Sequence, residues 1–205
     1  TEFHIIKLFF EESVEKNSRL GHEVIESLQS MSNNLLKNRL LFMPRFQFKG
    51  TEEMIRALSS EGVLIVDSFR DRLSFTHQAL LDYLMIRSYL KEGKTLLEFI
   101  LEHPQLPFIR PSIRTFLFYL HSMDSNDFSR EVTQILRSEK VAYHVKRLIV
   151  ESLSELSPIT DVELNLIKHI HVSFPDLFNR FLQRVTSPEW FDAMHPDLTK
   201  AILTK

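Results

Sequence analysis

His77 stands where an alternating apolar run, Leu73, Phe75, His77, meets a stretch of helix-forming residues that begins at Gln78. Residues two apart share one face of a strand, so the row places His77 inward beside Leu73 and Phe75, and Thr76 is expected to cap the helix that follows. A helix N-terminus offers unpaired N–H groups and positive potential, and an imidazole there adds a further donor; that combination suits an anion. The plain alternative is a buried histidine that hydrogen-bonds a carbonyl and does nothing more.

Other chemistry is thin. His169 and His171 lie two apart, which on a helix turns them to different faces, and no further ligands accompany them. Glu189, Asp192 and His195 recur at three-residue steps and could hold a divalent ion, but a solvated polar stripe accounts for them as well. No metal site is expected. The chain has four glycines, all isolated, so it carries no glycine-rich phosphate cradle; it has no Cys, which removes thiol nucleophiles, disulfides and Cys-ligated zinc. No catalytic residue set emerges, and no enzymatic activity is expected of this chain. Lys37, Arg39, Arg45 and Lys49 form the one basic run, a possible hold for an acidic partner surface or a solvated or intramolecular face.

The elements that must position these residues follow from periodicity. With 43% hydrophobic and 25% charged residues in 205, and a net charge of −2, the composition is that of an ordinary globular chain with no overall footprint for nucleic acid or an anionic membrane. No apolar run reaches the ~18 residues of a membrane span, so no membrane partner is expected and the cytoplasm is the default location. Helical spacing predicts two helices before Phe48, parted at Asn17 and Ser18, and a third from about Thr51 to Glu61, opened by Glu52 and Glu53 and closed by Gly62. Val63 to Phe69 and Leu73 to His77 then read as a hairpin about a polar Arg70–Arg72 turn.

Three helices followed by a two-stranded ribbon is the order of a winged-helix domain, assigned to residues 1–93 with its flanking helices. The helix from Ala79 to Gly93 is apolar nearly all round and is expected to lie as a hinge between two bodies. Pro104, Pro107 and Pro111 place a linker or elbow over residues 94–111. Residues 112–205 read as antiparallel helical hairpins, a HEAT-like α-solenoid, marked by Ile113, Phe116, Leu117 and Leu120, by Phe128, Val132, Ile135 and Leu136, and by Val145, Leu148, Ile149 and Leu156. Thr160 with Glu163 predicts a capping box, and Ser187 before Pro188 a helix start. Helical spacing from the first residues, and a helix opening near Asp197, predict a piece of a longer protein. The fold class is therefore mainly α.

The segment Leu58-Ser59-Ser60-Glu61-Gly62-Val63-Leu64, followed by Leu73-Ser74-Phe75-Thr76-His77-Gln78-Ala79-Leu80-Leu81-Asp82-Tyr83-Leu84, resembles the winged helix of STAND-class signalling ATPases of the NACHT and NOD-like-receptor type. In that family a leucine, small residues, glycine and an aliphatic lead into the wing, and a Phe-x-His-x-x-x-x-x-Tyr/Phe junction ends it. The likeness covers about Met54 to Leu90 closely and the rest only in architecture. It implies that His77 senses the β-phosphate of ADP bound to an upstream nucleotide-binding domain, with Gln78 and Asp82 as further polar candidates and Tyr83 and Leu84 as packing positions. It further implies ADP or ATP with Mg in the full-length protein and none in this chain. The implied partners are its own NTPase domain, a protein trigger or ligand on the helical repeats, and further copies of itself on activation, in defence signalling. The chain lacks the Walker-bearing domain, so hydrolysis cannot be its own. Two other readings stand: a winged-helix DNA regulator with an effector-sensing helical domain, disfavoured by Glu52, Glu53 and Glu61 against Arg56 alone on the third helix, and a freestanding helical adaptor.

Overall fold

A computed structural model describes residues 2–17 and 23–194. The predicted break at Ser18, the helix near Asp197 and the side chain of His195 lie outside the described residues. Among those described, the chain forms eleven α-helices and one small antiparallel sheet, divided into two compact units, residues 1–94 and 95–205.

The first unit opens with α1 (Glu2–Phe10), which runs into a π-helical turn (Glu11–Glu15), and continues with α2 (Glu23–Asn38). β1 (Met43–Pro44) and a 3-10 turn (Arg45–Gln47) lead to α3 (Glu52–Ser60), then β2 (Leu64–Asp67), β3 (Arg72–Phe75) and α4 (Gln78–Lys91). The predicted hairpin is present, with Leu64 opposite Phe75 and Val66 opposite Leu73, and the sheet has a third strand that periodicity did not reveal: Met43 pairs with Leu73, giving the order β1-β3-β2. A two-residue strand is too short to show alternation.

α3 begins and ends as its sequence requires. The Thr51 side chain accepts from the Met54 N–H at 3.2 Å, and Gly62 stops the helix at φ +72°, the left-handed region that glycine enters without a Cβ penalty. Between β2 and β3 the Asp67 Oδ1 accepts from the N–H groups of Phe69 and Arg70 at 3.1 and 3.0 Å, closing the turn. α4 packs on α1 and α2, which explains its all-round apolarity: Leu80, Leu81, Leu84, Met85 and Ile86 are core, and the Ser32 hydroxyl donates to the Leu81 carbonyl at 3.1 Å inside that contact.

The second unit contains α5 (Leu96–Glu102), a 3-10 turn (Pro107–Ile109), α6 (Arg110–Met123), α7 (Ser125–Arg137), α8 (Tyr143–Leu153), α9 (Asp161–Ser173), α10 (Pro175–Leu182) and α11 (Pro188–Met194). The residues read as a linker, 94–111, therefore include a helix. Thr95 and Glu98 form a capping box, and Leu96, Phe99 and Ile100 are fully buried, so local capping and tertiary burial hold a short helix upstream of the prolines. Phe99 packs against Phe116 of α6 with ring centroids 6.2 Å apart.

The predicted helices of this unit are present. α6 packs on α7 and α8, α7 on α9, and α10 on α8 and α9. The stripe Phe128, Val132, Ile135 and Leu136 of α7 is sealed from water while the rest of that helix is polar, the pattern of a helix stabilised by one apolar face. Leu156 is buried but lies beyond the end of α8. Thr160 and Glu163 form the expected capping box, and Pro188 is the first residue of α11. None of the described helices is long and apolar enough to cross a membrane.

Candidate functional site

The corner between β3 and α4 is built by the sheet reaching one residue further than its strands. The Thr76 N–H donates to the Val63 carbonyl at 3.1 Å, which holds Thr76 in ladder register. The turn into the helix then falls on His77, whose extended backbone (φ −131°, ψ 136°) and carbonyl, accepting from the Leu80 N–H at 3.0 Å, make it the N-cap residue. Two expectations are corrected here. Thr76 is not the cap: its hydroxyl points into the protein, buried and without a hydrogen-bond partner among the described residues. His77 does not continue the inward row of Leu73 and Phe75: those two are buried, but the chain leaves the sheet after Thr76 and turns the imidazole outward to solvent.

His77 makes no side-chain capping bond to α4, so its ring nitrogens are uncommitted within the described structure. Gln78, next in sequence, is also exposed. It lines a small open hollow of about 200 Å3 with Leu41, Ser74, Phe75 and Leu81. Closed small-molecule sites run to roughly 300–1,000 Å3, so this corner is at most one wall of a site. Asp82 is buried in α4 and cannot reach that surface. Tyr83 and Leu84 are core residues; the Tyr83 ring sits 5.3 Å from Phe10, and burial raises its hydroxyl pKa above the ordinary 10.0.

Beside the corner, the outer face of the sheet exposes apolar side chains, Ile65 and Phe42 among them. A second hollow of about 270 Å3 runs between Leu41, Phe42, Ile65 and the paired Asp67 and Arg72, and the Arg72 guanidinium stacks 4.1 Å from the Phe42 ring centroid. Phe69, at the hairpin tip, is almost fully exposed. Sequence periodicity gave no sign of this face, because it is assembled from the loop before β1 and both hairpin strands.

The basic run is dispersed over several local structures. Lys37 lies in the last turn of α2, where a cation complements the helix dipole, and Arg39 follows it at φ 57°, ending the helix. Arg45 is engaged within the protein: its guanidinium grips the Glu52 carboxylate with two of its three nitrogens, Nε at 2.9 Å and Nη2, and that bond raises the arginine pKa further. Lys49 is exposed on the loop before α3, with its carbonyl accepting from the Ser27 hydroxyl. Glu52 and Glu53 occupy the first turn of α3, so that helix presents acids where phosphate contacts would need cations.

Among the described residues no group of three or more His, Asp or Glu is placed to hold a metal ion. His169 lies 3.3 Å from the Arg137 guanidinium, while His171 stacks on Phe178 with centroids 4.4 Å apart. Glu189 accepts from the Ser157 hydroxyl at 2.9 Å. Comparison with known proteins brings no match: no protein family, no curated protein and no solved structure is significantly similar to this chain.

Proposed function

We propose that this chain is a non-catalytic regulatory and scaffold portion of a STAND-type, NACHT-like ATPase, in which His77 senses the nucleotide held by an upstream NTPase domain of the same protein. The observation that carries the reading is the imidazole itself: exposed, unpartnered and placed on the N-cap of α4, next to a helix N-terminus whose N–H groups favour an anion. The hollow beside it is too small to enclose a nucleotide, which fits a residue that completes a site built mainly on another domain.

The order α2, β1, α3, β2, β3 supports a winged-helix reading of the first unit, with the hairpin as wing. Alternate packing of α6 on α8 and α8 on α10, with α7 on α9, supports a HEAT-like stack in the second. On this reading His77 favours a closed, ADP-bound, cytoplasmic resting state. A trigger on the helical repeats then shifts the population toward an open, oligomerising form in defence signalling. A hydrogen bond to a charged phosphate contributes about 1.5–3 kcal/mol, enough to bias such an equilibrium roughly tenfold to a hundredfold.

The test is His77→Ala in the full-length protein. Because the ring makes no bond within the described fold, thermal stability should not change, while ADP should leave about ten- to a hundredfold faster. ADP release at the wild-type rate would count against the sensor role.

A further inference from the structure

We infer that the trough between α7 and α9 binds an extended acidic peptide segment whose carboxylates recur every third residue. It is an open groove of about 620 Å3 lined chiefly by Asn126, Arg130, Gln134 and Arg137 of α7 and by Val162 and Asn165 of α9, with no acidic side chain in its lining. This inference rests on the second unit alone and stands or falls independently of His77.

Charge sets the class of ligand. Arg130 and Arg137 are exposed and present planar, bidentate donors suited to carboxylates. Each has one internal contact. Arg130 meets Asp127 at 2.9 Å, an exposed pair one turn away of a kind that contributes little, and Arg137 faces the His169 ring at 3.3 Å. Neither leaves an arginine neutralised by a buried acid.

Spacing sets the geometry. The two arginines are seven residues apart, two turns of helix, so they share a face and stand about 10 Å apart along the axis at 1.5 Å per residue. A polyproline-II segment returns to the same side every third residue after about 9 Å. A β-strand does so every second residue after about 7 Å. The first fits the arginine pair better.

Between the charges, the side-chain amides of Asn126, Gln134 and Asn165 are exposed and have no hydrogen-bond partner among the described residues. Each offers a donor and an acceptor, the complement of a peptide backbone, and Val162 offers a small apolar floor. A single-stranded nucleic acid would also meet the charge, but the lining holds no aromatic ring on which bases could stack.

The experiment is fluorescence anisotropy of the whole chain with a labelled peptide of repeated Glu-Ala-Pro triplets. Controls are the Gln-Ala-Pro counterpart, an alternating Glu-Pro peptide and a thymidine oligonucleotide of equal charge. The proposal expects salt-sensitive binding of the Glu-Ala-Pro peptide, weaker binding of the alternating one, and a loss of about tenfold or more in Arg130→Ala/Arg137→Ala. Asn165→Asp, which adds an acid to the trough and leaves both arginines in place, should weaken binding as well. No binding, equal binding of the glutamine peptide, an unchanged affinity in both variants, or tighter binding of the oligonucleotide each overturns it.

Discussion

The Nε2 of His121 in α6 lies 3.3 Å from Oε1 of Glu163 in α9, and both side chains are nearly sealed from water, with 10% and 1% of their surfaces exposed. The other carboxylate oxygen accepts from the Thr160 N–H at 2.7 Å and from its hydroxyl, so one glutamate both closes the N-terminus of α9 and reaches the neighbouring helix. Phe128 of α7 packs edge-on to the imidazole at 5.1 Å, tying a third helix to the same point.

Removing that carboxylate should cost more than a helix cap alone. Glu163→Ala loses the reciprocal capping bonds with Thr160 and the buried carboxylate packed beside His121, an expected loss of about 1.5–3 kcal/mol in urea unfolding. Glu163→Gln keeps a capping-box residue and should lose less. Burial alone would raise the Glu163 pKa, but the Thr160 bonds outweigh it and hold the group below its ordinary 4.5. Its contribution is therefore present above the unfolded value and is lost as pH falls through the lower folded one. Urea titrations should show this acid-side loss in the wild type and a reduced slope in Glu163→Gln.

Glu131 predicts the opposite dependence. Burial pushes its carboxyl up to about 7, against the bond it accepts from the Leu96 N–H at 3.0 Å and with the help of Glu98 and Asp127. Between the unfolded value of 4.5 and about 7 the folded chain binds the proton and the unfolded chain does not, so stability falls as pH rises through that window and levels above it. Glu131→Gln can still accept from Leu96 without the charge. Its melting temperature should exceed that of the wild type at pH 8 and converge with it near pH 4, read by circular dichroism; a constant difference across pH would contradict the assignment.

Gly62→Ala isolates a backbone effect. A Cβ at this position would meet nothing within 4 Å, so the cost is the positive φ alone, about 1–2 kcal/mol. Gly62→Asn should lose less, since asparagine tolerates the left-handed region. Equal losses for the two in chemical denaturation would show that some other contact is involved.

Legibility in the sequence tracked distance along the chain. The acidic first turn of α3, the Gly62 stop, the Thr160–Glu163 box and the β2–β3 hairpin were all readable because residues within a few positions of one another make each of these structures. So was the apolar stripe of α7. β1 escaped because two residues carry no period, and α5 because the prolines after it mask a helix held by its cap and by burial of Phe99 against Phe116.

What the sequence by itself determined is the set of local elements and which face of each is apolar, since propensity, capping and periodicity are settled among near neighbours. Only the tertiary structure decided which way His77 points, that Arg45 is held by Glu52, that Asp82 is buried, that His121 meets Glu163 and that α7 and α9 enclose a basic trough. Most of those outcomes depend on residues brought together from far along the chain. The outward turn of His77 depends on a single extra sheet bond, from Thr76 to Val63, that shifts the corner by one residue.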